Sequence, residues 1–401
     1  MNLNTTSRVE PPQTVLLLGN YRPALTVARS LHAQGYRVVV SKDRDAGAAS
    51  KSKAVAEIWE TPETAEPKQL YQALAGFLAD RPDIQIVFPL MESYVRAFYG
   101  HAELLPEDRV YVMPNRDAVE VCLDKGRLIE TVDNAGLPCA RAITVHNFVT
   151  LMQAVEDLGY PLVIKPSDST VWLGNRKALI LHGPGDFAAA FSEWPTEHQS
   201  LIVQHFVDGP RINLYFAASG GQAIRYLAVQ IGETDIADGT GLATTGTTIE
   251  LDGELQRLGD ALIAQLDYHG IGCIQFLRDR HSGRLSFLEI NPRIGGNHAI
   301  TALCGLDLDT VALPLAAGER VDTNLVIGPA GHVYAWTTGA LRGFGLAVRQ
   351  KEIGVGAAIR QALSAVWLGL RTRHHITFRW NDPLPTLTLL LRLIPGVGHR
   401  G

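Results

Sequence analysis

GIGCIQFLRDRHSGRLSFLEINPR, residues 270–293, reads as a β-hairpin with a polar face. Strand GCIQFLRD runs into HSGR, where Gly283 suits a turn, and RLSFLEINP runs out of it. Centring the turn on position 282 sets Gln275 opposite Glu289. Side chains alternate along a strand, so Gln275, Glu289 and Asn291 project from one face. Phe276, Leu288 and Ile290 project from the other, towards a core. Three oxygen donors, one of them anionic, suit a Mg²⁺ site completed by nucleotide phosphates, and a polar solvent face of an antiparallel sheet is the alternative. Pro292 then fixes Arg293 at the strand end, where a guanidinium can stabilise charge on a transferring phosphoryl group.

Working back from the hairpin, two lysines occupy positions that phosphates would need. Lys165 ends the apolar strand LVIK, and Lys125 lies in LDKGR within a helical stretch, Asp117 to Asn134. An ammonium at the end of a buried strand is costly without an anionic partner, although it can also simply reach solvent. Between lysine and hairpin lie the strand LIVQHFV (201–207), an alternating hairpin from Asn213 to Ile231 turning at Gly220-Gly221, and a helix from Leu255 to Leu266. Residues 232–248, GETDIADGTGLATTGTT, have few large apolar side chains and read as a mobile surface loop. Upstream, TVLLLG, a helical stretch through Leu31, Gly35 and YRVVV make a βαβ opening and hence a parallel sheet. IQIVFPL (84–90) and VYVMP (110–114) add strands to this Rossmann-like unit. Its first turn is GNYRPA and not GxGxxG, so dinucleotide binding is not indicated.

Composition narrows the classes. The chain has 401 residues, 46% hydrophobic and 19% charged, which implies a folded protein of two or three domains. The formal charge of −5 argues against sequence-independent nucleic-acid binding, which concentrates Lys and Arg. No apolar run approaches the roughly 20 residues of a membrane span, so no stable membrane insertion is expected. Residues 1–13 lack the basic start and apolar core of a secretory signal, and the expected location is cytoplasmic. Cys122, Cys139, Cys273 and Cys304 are far apart, without disulfide or zinc spacing. Residues 322–401 hold nine basic side chains against three acidic ones, while the rest of the chain carries 27 against 38. Such a basic tail reads as a solvated face of a C-terminal subdomain. Within it, ALSAVWLGLRTR (362–373) has helical apolar spacing, and it and PTLTLLLRLIP (385–395) read as core packing or oligomer contact in preference to membrane association. The pair His374-His375 reads as surface.

Taken together, LDKGRLIETVDNAGLPCAR (123–141), GYPLVIKP (159–166), LIVQHFVDG (201–209), GIGCIQF (270–276) and FLEINPRIGGNH (287–298) resemble the ATP-grasp superfamily, within it the carboxylate–amine ligase-like members. The resemblance covers about residues 14 to 320. It implies an α/β architecture: a Rossmann-like pre-ATP-grasp domain (1–115), a two-lobed ATP-grasp domain (lobe 1 about 116–200, lobe 2 about 201–321) and a basic C-terminal subdomain (322–401). It implies further that Lys125 and Lys165 contact ATP phosphates, with Ser169 in the loop SDSTVWLG (167–174) that folds over them. Gln204, His205 and Val207 would read adenine, Gln275, Glu289 and Asn291 would hold Mg²⁺ (or Mn²⁺), and Arg293 and Lys165 would serve catalysis. Two positions depart from the common pattern. Gln275 stands where many relatives have an acid, and Arg211 stands where an acidic residue often binds ribose, so Arg211 is expected to touch a phosphate or an acidic substrate instead. The loop is also poorer in glycine than usual, with Val171-Trp172-Leu173.

The reaction the resemblance implies is activation of a small-molecule carboxylate by ATP as an acyl phosphate, followed by attack of an amine. Alternatives are a nucleotide-binding scaffold without turnover, and a biotin carboxylase or carbamoyl-phosphate synthetase analogue using bicarbonate. For the substrates, Glu92, Arg293, Asn297 and His298 are the candidates. Glu92 follows the strand IVFPLM at the edge of the sheet where open α/β sheets bind ligands, or is simply a helix N-terminal acid. His298 is either functional or a satisfied structural histidine. Homodimers are the commonest assembly, and a homodimer is compatible with this chain.

Overall fold

The computed structural model describes residues 13–42, 48–62, 66–168, 171–174 and 176–393. The N-terminal part is a five-stranded parallel sheet of β1 (Thr14–Leu18), β2 (Arg37–Lys42), β3 (Glu57–Glu60), β4 (Ile84–Pro89) and β5 (Val110–Tyr111), in the order β3-β2-β1-β4-β5. Every side chain of β1 is buried, because helices cover both faces of a parallel sheet. After β1 the chain turns at Gly19 (φ 119°), where a Cβ would lie 2.9 Å from Met91 Cγ. That turn feeds the helix Arg22–Ala33, with proline at its start.

Asp117 to Asn134 is not one helix. Asp124 adopts an extended conformation and divides it into Arg116–Leu123 and Lys125–Asn134, its carboxylate accepting the N–H groups of Gly126 and Arg127 at 2.9 and 3.1 Å. An Asp side chain competes well for nearby backbone donors, which makes Asp124 an N-cap instead of a helix interior residue. Lys125 therefore opens a helix.

Four antiparallel strands follow: β6 (Ala142–Val145), β7 (Leu162–Pro166), β8 (Leu179–Leu181) and β9 (Leu201–His205), ordered β6-β9-β7-β8. Leu151, Leu162, Ile164, Leu201 and Val203 form the core of this lobe. The helix Phe148–Leu158 is held at its start by an Asn147–Thr150 capping box.

The second lobe is one eight-stranded sheet. It contains β10 (Arg211–Ser219), β11 (Gln222–Ile231), β12 (Thr245–Ile249), β13 (Gly270–Arg278), β14 (Leu285–Asn291), β15 (Val326–Ile327), β16 (Val333–Ala335) and β17 (His374–His375). The order is β14-β13-β10-β11-β12-β16-β17, with β15 on β11. The hairpin register is as expected from its turn: Gln275 faces Glu289 and Ile274 faces Ile290. Beyond Gln275 the register shifts, so that Phe276 faces Phe287 and Leu288 is the extra residue of a bulge. Phe287, not Leu288, enters the core, because the bulge changes the side-chain parity, and its N–H donates to the Pro138 carbonyl at 2.7 Å.

Residues 232–248 do not form a continuous loop. The β-branched threonines of 245–249 build β12 between β11 and β16, with Thr244 and Thr248 buried. The tail is tied to both other parts of the molecule. Its strands β15, β16 and β17 extend the lobe 2 sheet, and buried Arg29 donates to Asp382 Oδ2, the Asp382 carbonyl and the Thr377 carbonyl, each at 2.8 Å. Ser52 and the Lys53 N–H also donate to the Asp382 carboxylate.

Candidate nucleotide and substrate site

The two lysines lie where lobe 1 meets the β13–β14 hairpin. Lys165, at the end of β7, donates from Nζ to Gln204 Oε1 at 2.9 Å on the neighbouring β9, and Gln204 donates in turn to the Ala140 carbonyl at 3.3 Å. Lys125, opening its helix, donates to the Pro166 carbonyl at 2.5 Å. Desolvation, then repulsion from Lys165, pulls the Lys125 ammonium down to about 8, against the attraction of Glu289, Asp168 and Glu92. Desolvation likewise lowers Lys165, with Glu289 the main opposing charge. Two desolvated ammonium groups in one cleft, one of them further lowered by the other, form a site short of negative charge.

Glu289 faces that cleft. Desolvation pushes its carboxyl up, but the 2.9 Å hydrogen bond from Asn291 Nδ2 and the charges of Lys165, Lys177 and Arg211 prevail, and it is held below the ordinary range. It is thus ionised. Gln275 is its cross-strand partner, and Asn213 is in turn paired with Gln275 on β10. The Asn213 Oδ1 atom is buried without a hydrogen-bond partner and extends the same polar row. Among the described residues, no three His, Cys, Asp or Glu side chains cluster as a metal group. The oxygen-rich set Gln275, Glu289 and Asn291, with one carboxylate, fits a hard divalent ion that draws its remaining ligands from phosphate.

Arg293, just past β14, donates from Nη1 to the Ile294 carbonyl at 3.0 Å and lies 3.8 Å from Glu92 Oε2, while its Nε is buried without a partner. Glu92 is the first residue of the helix Glu92–His101, where it accepts from Arg96 Nη2 at 3.2 Å through Oε1 and reaches Arg293 through Oε2. Arg211 donates to the Gly241 carbonyl at 3.3–3.4 Å and so anchors the segment leading to β12. His205 is exposed at the end of β9, its N–H bonded to the Arg141 carbonyl at 2.9 Å, and Val207 is half-buried just beyond. Ser169 lies outside the described residues. Trp172 in the same loop is exposed, 5.9 Å from Lys177 Nζ.

Asn297 and His298 are buried. Asn297 accepts from Arg22 Nη1 at 2.8 Å and donates to the Ala243 carbonyl and the Tyr334 hydroxyl at 2.9 and 2.8 Å. His298 Nε2 lies 2.7 Å from Asp309 Oδ1. Sequence reading missed Asn213, Lys177 and Arg22. Asn213 alone had a signal, sharing parity with Arg211 in the otherwise apolar stretch INLYF. Arg22 stacks 3.4 Å over the Trp336 ring, and burial lowers its guanidinium to about 10.

This arrangement can screen a polyphosphate with two ammonium groups, place a divalent ion beside it and aim a guanidinium at the junction with the N-terminal sheet. Residues 250–324 match the family model for the ATP-binding domain of the carbamoyl-phosphate synthase L chain. A biotin carboxylase of Nostoc sp. is 27% identical over 238 residues, 55% of this chain and 52% of that protein. A carbamoyl phosphate synthase large chain of Beutenbergia cavernae is 24% identical over 73% of this chain and 27% of its own length. This chain thus spans about half, or less, of the length of these curated relatives. The biotin carboxylase domain dimer of Hydrogenobacter thermophilus 2-oxoglutarate carboxylase, solved with MgADP, ADP and bicarbonate, superposes with TM-score 0.61 at 19% identity, covering 79% of this chain and 72% of that one. By its matched segment this chain is similar to carbamoyl-phosphate synthases and biotin carboxylases, and it shares the fold of the biotin carboxylase domain.

Proposed function

We propose that the protein is an ATP-dependent ligase that activates a small-molecule carboxylate as an acyl phosphate and couples it to an amine. The single observation that carries this reading is the convergence of Lys125, bonded to the Pro166 carbonyl, Lys165, bonded to Gln204, and the Glu289 carboxylate, drawn from three separate elements, on one cleft. Lys125 and Lys165 bind the ATP phosphates, and Gln204, His205 and Val207 flank the base. Gln275, Glu289 and Asn291 would hold Mg²⁺, or Mn²⁺ in its place, which supplies charge neutralisation on the phosphates. A substrate carboxylate oxygen attacks the γ-phosphorus and the bond to the β-phosphate oxygen breaks, releasing ADP. The amine nitrogen then attacks the acyl carbon, loses a proton and expels phosphate. Arg293 faces the transferred phosphoryl group, Glu92 orients Arg293, and Arg211 lies ready for an acidic substrate or phosphate. Asn297 and His298 act from behind, holding the wall of the acceptor site. Incubation with ATP, Mg²⁺ and mixed amino and carboxylic acids should give substrate-dependent ADP release, with the product identified by mass spectrometry. Tight ATP binding without release under any mixture would instead mark a scaffold.

Bicarbonate as the activated carboxylate is the second reading, supported by the bicarbonate bound in the Hydrogenobacter relative. It requires ADP release that depends on bicarbonate.

A further inference from the structure

Helix Val355–Arg371 packs with its small side chains inward and its large ones outward. Ala365 and Gly369 are buried, and a Cβ on Gly369 would lie 2.6 Å from Thr337 Oγ1 of the helix Thr337–Arg349. Val355, Ile359, Leu363, Val366, Trp367 and Leu370 are all exposed. At about 100° per residue, these six occupy one arc of roughly 120°, and Arg360 and Arg371 lie along its edge. Leu363 is 65% exposed and Leu370 82%. The helix Leu384–Leu391 repeats the pattern: Pro385 and Thr386 are buried while Leu384, Leu387 and Leu391 face out, and Trp380 before it is 89% exposed. A surface helix normally hides its bulky apolar residues, so this inversion marks a face built to be covered.

Charge indicates what covers it. Residues 342–393 hold eight basic side chains and two acidic ones. Both acids are already paired, Glu352 with Arg176 and Asp382 with Arg29, whereas of the eight basic residues Arg342 is paired with Asp235. Arg371 stacks 4.5 Å over Trp367, putting a cation beside an indole at the border of the apolar arc. We propose that this tail docks on an anionic lipid surface, with the helix Val355–Arg371 lying in the interface plane, its apolar arc in the acyl boundary and its arginines at the headgroups. It does not span the bilayer: no helix among the described residues is long and apolar enough to cross one. A second copy of the chain fits less well, because an isologous contact sets the same patch against itself and brings Arg360 and Arg371 towards like charges.

The test is flotation of the full chain with vesicles of phosphatidylglycerol and phosphatidylcholine, against vesicles of phosphatidylcholine alone. Binding should be about tenfold stronger to the anionic vesicles and should fall in high salt. L363E/L370E changes only exposed side chains, so it should melt as the parent does and lose about tenfold or more of the binding. R360E/R371E should weaken binding to anionic vesicles by about tenfold and leave the neutral control unchanged. Failure to bind anionic vesicles, or equal binding to both kinds, overturns the proposal. A dimer in light scattering that L363E/L370E converts to monomer also overturns it, assigning the face to a second copy.

Discussion

Glu92 and Arg293 meet across the junction between the N-terminal sheet and lobe 2, with 3.8 Å between Oε2 and Nη2. One opens a helix after β4 and the other follows β14, so the contact joins two different parts of the fold. Glu92→Gln should lower kcat by about tenfold or more through misplacement of Arg293. Melting should barely change, because a partly exposed pair at this distance contributes about 1 kcal/mol or less. A matching fall in melting temperature would make the contact structural.

Glu289 supplies the one carboxylate of the proposed ion site. Glu289→Ala should reduce substrate-dependent ADP release by about a hundredfold or more while circular dichroism stays that of the parent. Activity near that of the parent refutes the assignment.

Lys125 titrates at about 8 in the folded protein, below its ordinary value of 10.5. At neutral pH it is charged in both the folded and unfolded states, and the folded state bears the full penalty. As pH rises above about 8 the unfolded chain holds more protons, so this penalty shrinks and the ligand-free protein gains stability from this group. Lys125→Met should raise the melting temperature near pH 7 by a few degrees and flatten that gain. ATP binding runs the other way: phosphate favours the ammonium, so affinity should fall above about pH 8. Calorimetry near that pH in buffers of different ionisation enthalpy should show proton uptake on ATP binding, and Lys125→Met should abolish it.

Asp382 joins the tail to the N-terminal part through Arg29, Ser52 and the Lys53 N–H. Desolvation raises its carboxyl, but these donors outweigh it and hold the group low. Its contribution is therefore present above the ordinary carboxylate range and lost as pH falls below it. Asp382→Ala strands the buried Arg29 guanidinium and should cost about 3–5 kcal/mol in denaturant unfolding. Early proteolysis of the tail should accompany it.

Local sequence sufficed for the parts of the molecule whose information is local. Alternation in 270–293 places Gln275 opposite Glu289, and the apolar run 14–18 specifies a fully buried parallel strand. Lys165 at the end of LVIK stands out because an ammonium there is expensive without a counter-charge. Tertiary structure alone decided the rest. The Phe287 N–H beside the bulge finds the Pro138 carbonyl, and the Asn297 network depends on Arg22, 275 positions earlier in the chain. The Gly- and Thr-rich stretch becomes β12 only because β11 and β16 flank it. Periodicity reports which way a side chain points within its own element. What it meets there is set by chain closure over long separations, and no window of sequence encodes that.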